Sequence, residues 1–235
     1  AGRSLRLVRN ETAKVMQGND NHPASYYVAT AKEMAERPAL SGEERADVCV
    51  IGGGFTGISA ALNLAEKGYD VVLLEAERLG YGASGRCGGL IGSGQRKDVL
   101  EMDELYGLER SRLLWDFAEA AKEEIRSRIK QHDIQCDLQM GQLVGEHKRS
   151  YCDWPQELSD ALAERYDYPH CRALDAVEAQ EMVATPTFLG GLWDAEAMTL
   201  HPLNYVLGLA RAATEAGVRI YENSRVRWYT RKDPS

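Results

Sequence analysis

Six residues in the first quarter of the chain have the spacing of a phosphate-binding turn. They read Gly52-Gly53-Gly54-Phe55-Thr56-Gly57, a G-x-G-x-x-G pattern. Its first glycine permits a tight turn, its second lets a pyrophosphate approach the backbone, and its third lets the following helix pack closely against the preceding strand. The first turn of that helix offers free N–H groups and a positive dipole end to a phosphate. The pattern therefore predicts a dinucleotide-binding turn.

The elements around this turn are those that a dinucleotide site requires. Residues 46–51 form a short apolar run typical of a buried parallel strand, and residues 56–67 have helical character. Gly68 stands where a helix commonly ends, and residues 71–74 predict a second buried strand. Strand, helix and strand within about 30 residues predict a right-handed parallel βαβ unit.

An acidic residue at the end of the second predicted strand is the expected ribose ligand. Glu75 lies close to the usual spacing, about 20 residues beyond the glycine turn, and its carboxylate would accept hydrogen bonds from ribose hydroxyls. The same carboxylate would repel a 2′-phosphate, so an NADP site is disfavoured. Glu77 is the competing acid and ranks second, because it lies two residues beyond the strand end.

A second glycine-rich stretch follows at once. Residues 79–97 contain seven glycines and predict a loop, in which the backbone and Ser84 would reach an extended cofactor beyond its pyrophosphate. A helix is predicted over 109–130, with one packed apolar face formed by Leu114, Phe117, Ala121, Ile125 and Ile129.

The rest of the chain mixes short strands and helices. We expect a hairpin around Gly141, a capping box at Asp175 and Glu178, and a strand over 190–193. His201 precedes a helix over 202–216 and is expected to cap it, the alternative being a catalytic base. Further strands are predicted over 218–221 and 226–230.

Composition and charge exclude several classes of protein. The chain has 235 residues, 28 of them basic and 36 acidic, for a formal net charge of −8. An acidic surface repels phosphate backbones, so we expect no nucleic-acid partner. No apolar run approaches the ~20 residues of a membrane span, and no secretory signal is expected. The five cysteines are an odd number without C-x-x-C spacing, which favours reduced thiols and a cytoplasmic protein.

These segments together resemble the FAD-dependent oxidoreductases of the D-amino-acid oxidase superfamily, in particular gamma-glutamylputrescine oxidase-like proteins. The resemblance is carried, in order, by Ser25-Tyr26-Tyr27, residues 47–57, Glu75-Ala76-Glu77-Arg78, Gly82-Ala83-Ser84-Gly85-Arg86 and His201-Pro202-Leu203-Asn204. Cys87 stands where the family usually has Asn, and Leu90 where it often has Gln. An unreactive replacement is the default for Cys87, and attachment of its thiol to the flavin is the alternative.

The resemblance implies FAD as the cofactor and assigns further residues to it. Ser84 and Arg86 would contact the pyrophosphate or ribityl region, and Arg78 joins the cofactor-binding set. Gly88, Gly89 and Leu90 would pass beside the isoalloxazine ring, and the backbone of Val226 would hold adenine. No catalytic side chain and no metal site is predicted.

The implied fold is an α/β Rossmann-like FAD-binding βαβ sheet of the glutathione-reductase type with an inserted α+β substrate-domain segment. An arm over 1–45 precedes the FAD-binding domain, whose parts are 46–100 and 201–235, with the substrate-domain segment at 101–200. The C-terminal half of the family fold is expected to be missing.

In the resembled reaction, flavin takes a hydride equivalent from the carbon beside an amine, the imine hydrolyses to an aldehyde, and oxygen reoxidises the flavin. Gamma-glutamylputrescine is the leading substrate, and sarcosine or a D-amino acid is the runner-up. The alternative from another class is a non-catalytic FAD-binding fragment.

Overall fold

The computed structural model describes residues 5–8, 22–32, 35–151 and 153–230, and the chain divides into two compact units. The first unit comprises residues 1–88, 128–136 and 201–235, and the second comprises 89–127 and 137–200. The strands are β1 Leu5–Val8, β2 Glu43–Ala46, β3 Val48–Ile51, β4 Val71–Leu74, β5 Leu90–Ile91, β6 Gln139–Glu146, β7 Cys171–Leu174, β8 Gly190–Thr199 and β9 Arg219–Tyr221. The helices are α1 Tyr26–Ala29, α2 Phe55–Glu66, α3 Val99–Tyr106, α4 Leu108–Gln131, α5 Trp154–Tyr166, α6 Ala176–Val183 and α7 Pro202–Glu215, with 3₁₀ turns at Ala83–Gly85 and Arg149–Tyr151. The predicted roles of the domains stay predictions, and their bounds differ from these units at residues 89–100 and 128–136.

A parallel three-stranded sheet in the order β3-β4-β9 forms the centre of the first unit. Val48 pairs with Val71 and Ile51 with Leu74, so the predicted βαβ unit is present. On one face of the sheet, Val72 and Leu74 pack with Leu40 and Ala46. Helix α2 packs against β3, β4 and α7. Both helices bury their apolar faces, which stabilises the sheet by removing apolar surface from water.

Local signals at the helix ends agree with the sequence. Gly68 and Gly217 have φ of +85° and +97°, the left-handed conformation that glycine adopts without strain. The His201 Nδ1 atom accepts the Asn204 N–H at 3.1 Å and so caps α7, as expected. The capping box of Asp175 and Glu178 at the start of α6 is also present.

The second unit contains an antiparallel sheet in the order β5-β8-β6, with β7 also pairing with β8. The predicted hairpin around Gly141 is wrong, because β6 is one strand whose register shifts between Met140 and Gln142. Gly141 has φ of +91°, and a Cβ there would overlap the ring of Trp193. The glycine therefore accommodates a β-bulge beside a tryptophan.

Helix α4 has the predicted extent but buries a different face. Phe117 is 73% exposed and Leu114 39% exposed, so the predicted packed face is wrong. Trp115 is instead buried against Tyr166 and Tyr168, at ring-centroid distances of 5.4 and 5.0 Å. This aromatic cluster sets the rotation of the helix.

A buried polar network joins the same helix to its unit. Lys122 Nζ lies 2.6 Å from Glu119, 2.7 Å from Ser93 Oγ and 3.1 Å from Tyr168 Oη. The Tyr168 hydroxyl donates to Asp194 at 2.8 Å. These contacts satisfy the three Nζ donors, which is what allows a lysine to be buried.

Two further findings complete the fold. Residues 226–230 form no strand, contrary to prediction, and β9 is the last strand of the described chain. None of the helices in the described part of the chain is both long and apolar enough to cross a bilayer.

Candidate functional site

The glycine turn between β3 and α2 has the geometry that its pattern predicts. Gly52 has φ of +106°, and a Cβ on Gly57 would overlap the Gly52 carbonyl oxygen. A Cβ on Gly54 would lie 2.8 Å from Ser84 Oγ. Each of the three glycines is therefore required, either by its backbone conformation or by a close neighbour. The turn leads directly into the first residue of α2.

Glu75 lies beside this turn, directly after β4. Its Oε2 atom accepts the Gly53 N–H at 2.6 Å and its Oε1 atom accepts the Glu77 N–H at 2.9 Å. Two backbone donors hold the carboxylate in place, and charge-assisted hydrogen bonds of this kind are stronger than neutral ones. The carboxylate is thus oriented before any ligand arrives.

A second glycine turn packs against the first. Residues 80–85 read Gly80-Tyr81-Gly82-Ala83-Ser84-Gly85 and repeat the G-x-G-x-x-G spacing, a signal that the prediction from sequence missed. Gly80 has φ of +69°, and a Cβ on Gly85 would overlap the Gly80 carbonyl oxygen, as in the first turn. The Gly80 N–H donates to the Gly53 carbonyl at 2.9 Å, and the Phe55 N–H donates to Ser84 Oγ at 3.1 Å. The two turns therefore form one wall.

A cleft of about 440 Å³ lies along this wall within the first unit. Four predicted site residues line it, namely Gly52, Gly54, Glu75 and Ser84. Glu77, the second candidate for the ribose acid, lines it as well. Seven further residues line it without having been assigned to the cofactor individually, namely Gly53, Ala76, Gly80, Tyr81, Gly82, Ala83 and Arg225. The spacing of the second glycine turn could have revealed four of these, Gly80 to Ala83, but nothing local distinguishes Arg225.

The other predicted cofactor residues lie outside the cleft lining. The ring of Phe55 packs on Tyr205, and Thr56 is exposed on the first turn of α2. The guanidinium of Arg86 lies over the ring of Tyr81, 5.5 Å from its centroid, and Gly88 is exposed. Val226 packs at the edge of the cluster formed by Leu40, Ala46, Val72 and Leu74. Their cofactor roles stay predictions.

Gly89 and Leu90 belong to the second unit. Gly89 is buried with φ of +69°, and its carbonyl accepts the Leu200 N–H at 3.0 Å. Leu90 begins β5 and is 70% exposed. Their predicted place beside a flavin ring stays a prediction.

Arg78 is engaged in the protein interior. Its Nε atom lies 2.8 Å from Glu222 Oε2, an ion-pair contact without hydrogen-bond geometry, and Glu222 is 2% exposed. The other carboxylate oxygen of Glu222 accepts the Leu79 N–H at 2.7 Å. The observed contacts give Arg78 a structural partner, and its predicted contact with the cofactor stays a prediction.

The residues of the cleft fit an adenine dinucleotide. Gly54 lines the cleft with bare backbone, since a Cβ there would meet Ser84 Oγ, and bare backbone is what the approach of a pyrophosphate requires. The first-turn N–H groups of α2 have no acceptor within the helix. Glu75 offers oriented oxygens for ribose hydroxyls. The described residues contain no group of three side chains suited to a metal.

A histidine near the cleft residue Tyr81 predicts a pH effect, since the ring centroids of His22 and Tyr81 lie 6.0 Å apart. Burial, followed by the nearby cations Arg78 and Arg86, lowers the pKa of His22, while the Leu79 backbone and Glu75 oppose the shift. Folding therefore favours neutral His22, and this stabilisation is present above the unfolded pKa of about 6.5 and is lost as pH falls below it.

We expect the urea midpoint of the wild-type chain to fall more between pH 7.5 and 5.5 than that of His22→Gln. Urea unfolding followed by circular dichroism at both pH values measures this difference. His147→Gln is the matched control, because His147 is exposed and should leave the pH dependence unchanged. Equal pH dependence of wild type and His22→Gln would contradict the prediction.

Comparison with known proteins places the chain among flavoproteins. The family model described as "FAD dependent oxidoreductase" (DAO) matches residues 47–233. The gamma-glutamylputrescine oxidoreductase of Escherichia coli is 39% identical over 205 residues, which are 87% of this chain and 48% of that protein. "Probable oxidoreductase OrdL" of Rhizobium meliloti is 39% identical over 201 residues, 86% of this chain and 47% of that protein. The chain spans about half the length of these curated relatives.

Solved structures show the same fold. The L-amino acid deaminase of Proteus myxofaciens matches with a TM-score of 0.66 at 23% identity, covering 86% of this chain and 44% of that one. The glycine oxidase of Bacillus cereus matches with a TM-score of 0.60 at 18% identity, covering 79% of this chain and 48% of that one. The expected α/β fold of FAD-dependent oxidases is therefore confirmed.

Proposed function

Because the chain belongs to the DAO family of FAD-dependent oxidoreductases, we propose that it serves the oxidation of a primary or secondary amine, with gamma-glutamylputrescine as the leading substrate. The main support for a bound cofactor is the cleft, in which two glycine turns lie beside the Glu75 carboxylate that the Gly53 N–H holds in place. FAD is the cofactor of the family, in agreement with the expectation from sequence.

The residues of the first unit would hold the cofactor in distinct ways. The Gly54 backbone and the first turn of α2 beyond Phe55 would bind the pyrophosphate, because their N–H groups and the helix dipole favour negative charge. The N–H groups of Gly52, Gly53 and Phe55 already have acceptors within the protein. Glu75 would accept the ribose hydroxyls, and Ser84 would keep the second glycine turn against the first through its bond to Phe55. FAD bound there would supply the redox chemistry, because flavin can accept a hydride equivalent from the carbon beside the amine nitrogen.

The substrate is proposed from similarity and not from a located pocket. The E. coli relative is named for gamma-glutamylputrescine, which supports this amine and a role in putrescine catabolism. Sarcosine or a D-amino acid remains the runner-up, since amine oxidation next to a flavin needs only an orientable C–H bond and an unprotonated nitrogen. The imine formed from gamma-glutamylputrescine or sarcosine would hydrolyse to an aldehyde with release of ammonia or an amine, and that formed from a D-amino acid to a 2-oxo acid and ammonia.

We further propose that the reaction takes place in the cytoplasm. The odd number of cysteines without C-x-x-C spacing supports a reducing compartment. Cys49, Cys87 and Cys171 are free thiols. Burial raises the pKa of Cys171 to about 12, so this residue stays protonated and unreactive.

One experiment tests cofactor and substrate together. The purified chain is titrated with FAD and then assayed for peroxide and flavin bleaching with gamma-glutamylputrescine, sarcosine and D-alanine. We expect FAD binding and fastest turnover of gamma-glutamylputrescine. Glu75→Ala should weaken FAD binding by about 100-fold, because two charge-assisted hydrogen bonds to the ribose are lost.

Glu104→Ala is the control for this experiment, because Glu104 is exposed on α3 in the second unit. Faster turnover of sarcosine or D-alanine would replace the leading substrate by the runner-up. FAD binding without oxidation of any amine would favour the non-catalytic alternative, and unchanged FAD affinity in Glu75→Ala would contradict the assignment of the cleft.

A further inference from the structure

The cleft has a direction that follows from the chemistry of a dinucleotide. The glycine turn at Gly52 to Gly54 marks the phosphate end, and Glu75 marks the ribose. A nucleotide base is attached to its ribose on the side away from the phosphates. Ala76 and Glu77 follow Glu75 in the chain and line the cleft, and Arg225 lines it beside Glu77, with which it pairs. From this placement we infer that these three residues lie at the base end.

Arg225 is held at this end by both its backbone and its side chain. The Asn223 N–H donates to the Glu77 carbonyl at 2.9 Å, and the Ser224 N–H donates to the Glu75 carbonyl at 2.7 Å. Arg225 Nη2 lies 2.6 Å from Glu77 Oε1, with the Glu77 side chain 19% exposed and that of Arg225 59% exposed. One edge of the guanidinium is thus fixed by a half-buried carboxylate while the side chain remains open to the cleft.

Glu77 was the second candidate for the ribose ligand, and its contacts indicate a different role. Its backbone N–H braces Glu75 at 2.9 Å, and its carboxylate is occupied by Arg225. The ion pair with Glu77 also limits the kind of ligand group that Arg225 can bind. Among the residues lining the cleft in the described chain, Arg225 carries the only positive charge, and Glu77 already neutralises it.

We propose that Arg225 stacks its guanidinium on the adenine of the bound dinucleotide, and that Glu77 is the positioning residue that holds it there. A planar guanidinium stacks on aromatic rings, and it does so best when one edge is fixed and the stem need not be reordered. Phosphate binding is disfavoured for this side chain, because it lies beyond the ribose and its charge is paired. The inference rests on the proposed function only in taking an adenine dinucleotide as the ligand.

The test compares ligands that contain different parts of FAD. Calorimetric titration of the chain with adenosine, ADP, FAD and FMN gives four dissociation constants for each variant. Arg225→Ala should weaken the binding of adenosine, ADP and FAD by a similar factor of about tenfold, the size of one stacking contact with a base. FMN has no adenine, so its binding should not change.

Conservative variants separate stacking from charge. Arg225→Tyr keeps a flat surface without charge and should bind adenosine within about threefold of wild type, whereas Arg225→Lys keeps charge without a flat surface and should resemble Arg225→Ala. Glu77→Gln keeps the backbone bond to Glu75 and should weaken adenosine by a smaller factor than Arg225→Ala. Arg227→Ala is the matched control, because Arg227 is an exposed arginine in the same segment and does not line the cleft.

The outcomes are distinguishable from those of the amine assay. Rescue by lysine and not by tyrosine, losses confined to phosphate-containing ligands, a loss for FMN, or wild-type chain that binds no adenosine compound would each overturn the inference. If the adenosine ratios hold while no amine is oxidised, the inference stands and the proposed substrate falls. Far-UV circular dichroism confirms that each variant folds, which the exposure of Arg225 leads us to expect.

Discussion

Replacing Gly57 with alanine should weaken FAD binding by at least about 100-fold and lower the free energy of unfolding by about 1–3 kcal/mol. A Cβ at this position would overlap the carbonyl oxygen of Gly52 and lie 3.1 Å from the Gly52 carbonyl carbon. Both neighbours are backbone atoms, so they can yield only if α2 moves away from β3. That movement would displace the first-turn N–H groups from the phosphate position.

The comparison variant for Gly57→Ala is Gly92→Ala. A Cβ on Gly92 would meet only the Gln142 side-chain oxygen, at 3.9 Å, so this variant carries the same change of residue without the overlap. Flavin fluorescence titration and urea unfolding measure the two effects. Gly57→Ala protein that bound FAD like Gly92→Ala would show that this turn does not hold the cofactor.

Replacing Arg78 with methionine should destabilise the cofactor-free chain by about 3–5 kcal/mol. The variant leaves Glu222, which is 2% exposed, without its cation. A buried carboxylate without a partner is costly, because the low-dielectric interior does not replace its hydration. Urea unfolding of the cofactor-free protein measures the loss directly, without any contribution from a bound ligand.

A second variant separates the ion pair from simple loss of packing. Glu222→Gln added to Arg78→Met removes the unpaired charge while keeping an acceptor for the Leu79 N–H, so the double variant should recover most of the stability. Arg110→Met, at an exposed position of α4, should have little effect. A cofactor-free Arg78→Met chain as stable as wild type would instead favour a role of Arg78 in cofactor binding alone.

Several features of this protein could be predicted because neighbours in the chain determine them. The βαβ unit follows from apolar runs, a glycine turn and Gly68, all within about 30 residues. The caps at His201 and Asp175 follow from hydrogen bonds between residues three apart. The repeat of the G-x-G-x-x-G spacing over residues 80–85 is equally local, because it is visible when these six residues are aligned with residues 52–57.

Other features depend on partners far away in the chain. Helix α4 was predicted in extent but not in rotation, because its apolar residues permit two faces and Trp115 selects one by packing on Tyr166 and Tyr168. At Gly141, a positive φ is compatible with a hairpin or with a bulge, and the pairing of β6 with β8 decides for the bulge. Residues 226–230 have strand-like composition, but a strand requires a hydrogen-bonded neighbour, and composition alone cannot supply one.

The amino-acid sequence by itself determined the glycine turn after β3, the acid at the end of β4 and the family, since each depends on residue types at fixed short spacings. Only the tertiary structure decided which charged residues line the cleft. Arg78 pairs with Glu222 in the interior, while Arg225 reaches the cleft through its pairing with Glu77. A charged side chain takes its role from the opposite charge that folding places beside it, and in both pairs that charge lies more than a hundred residues away.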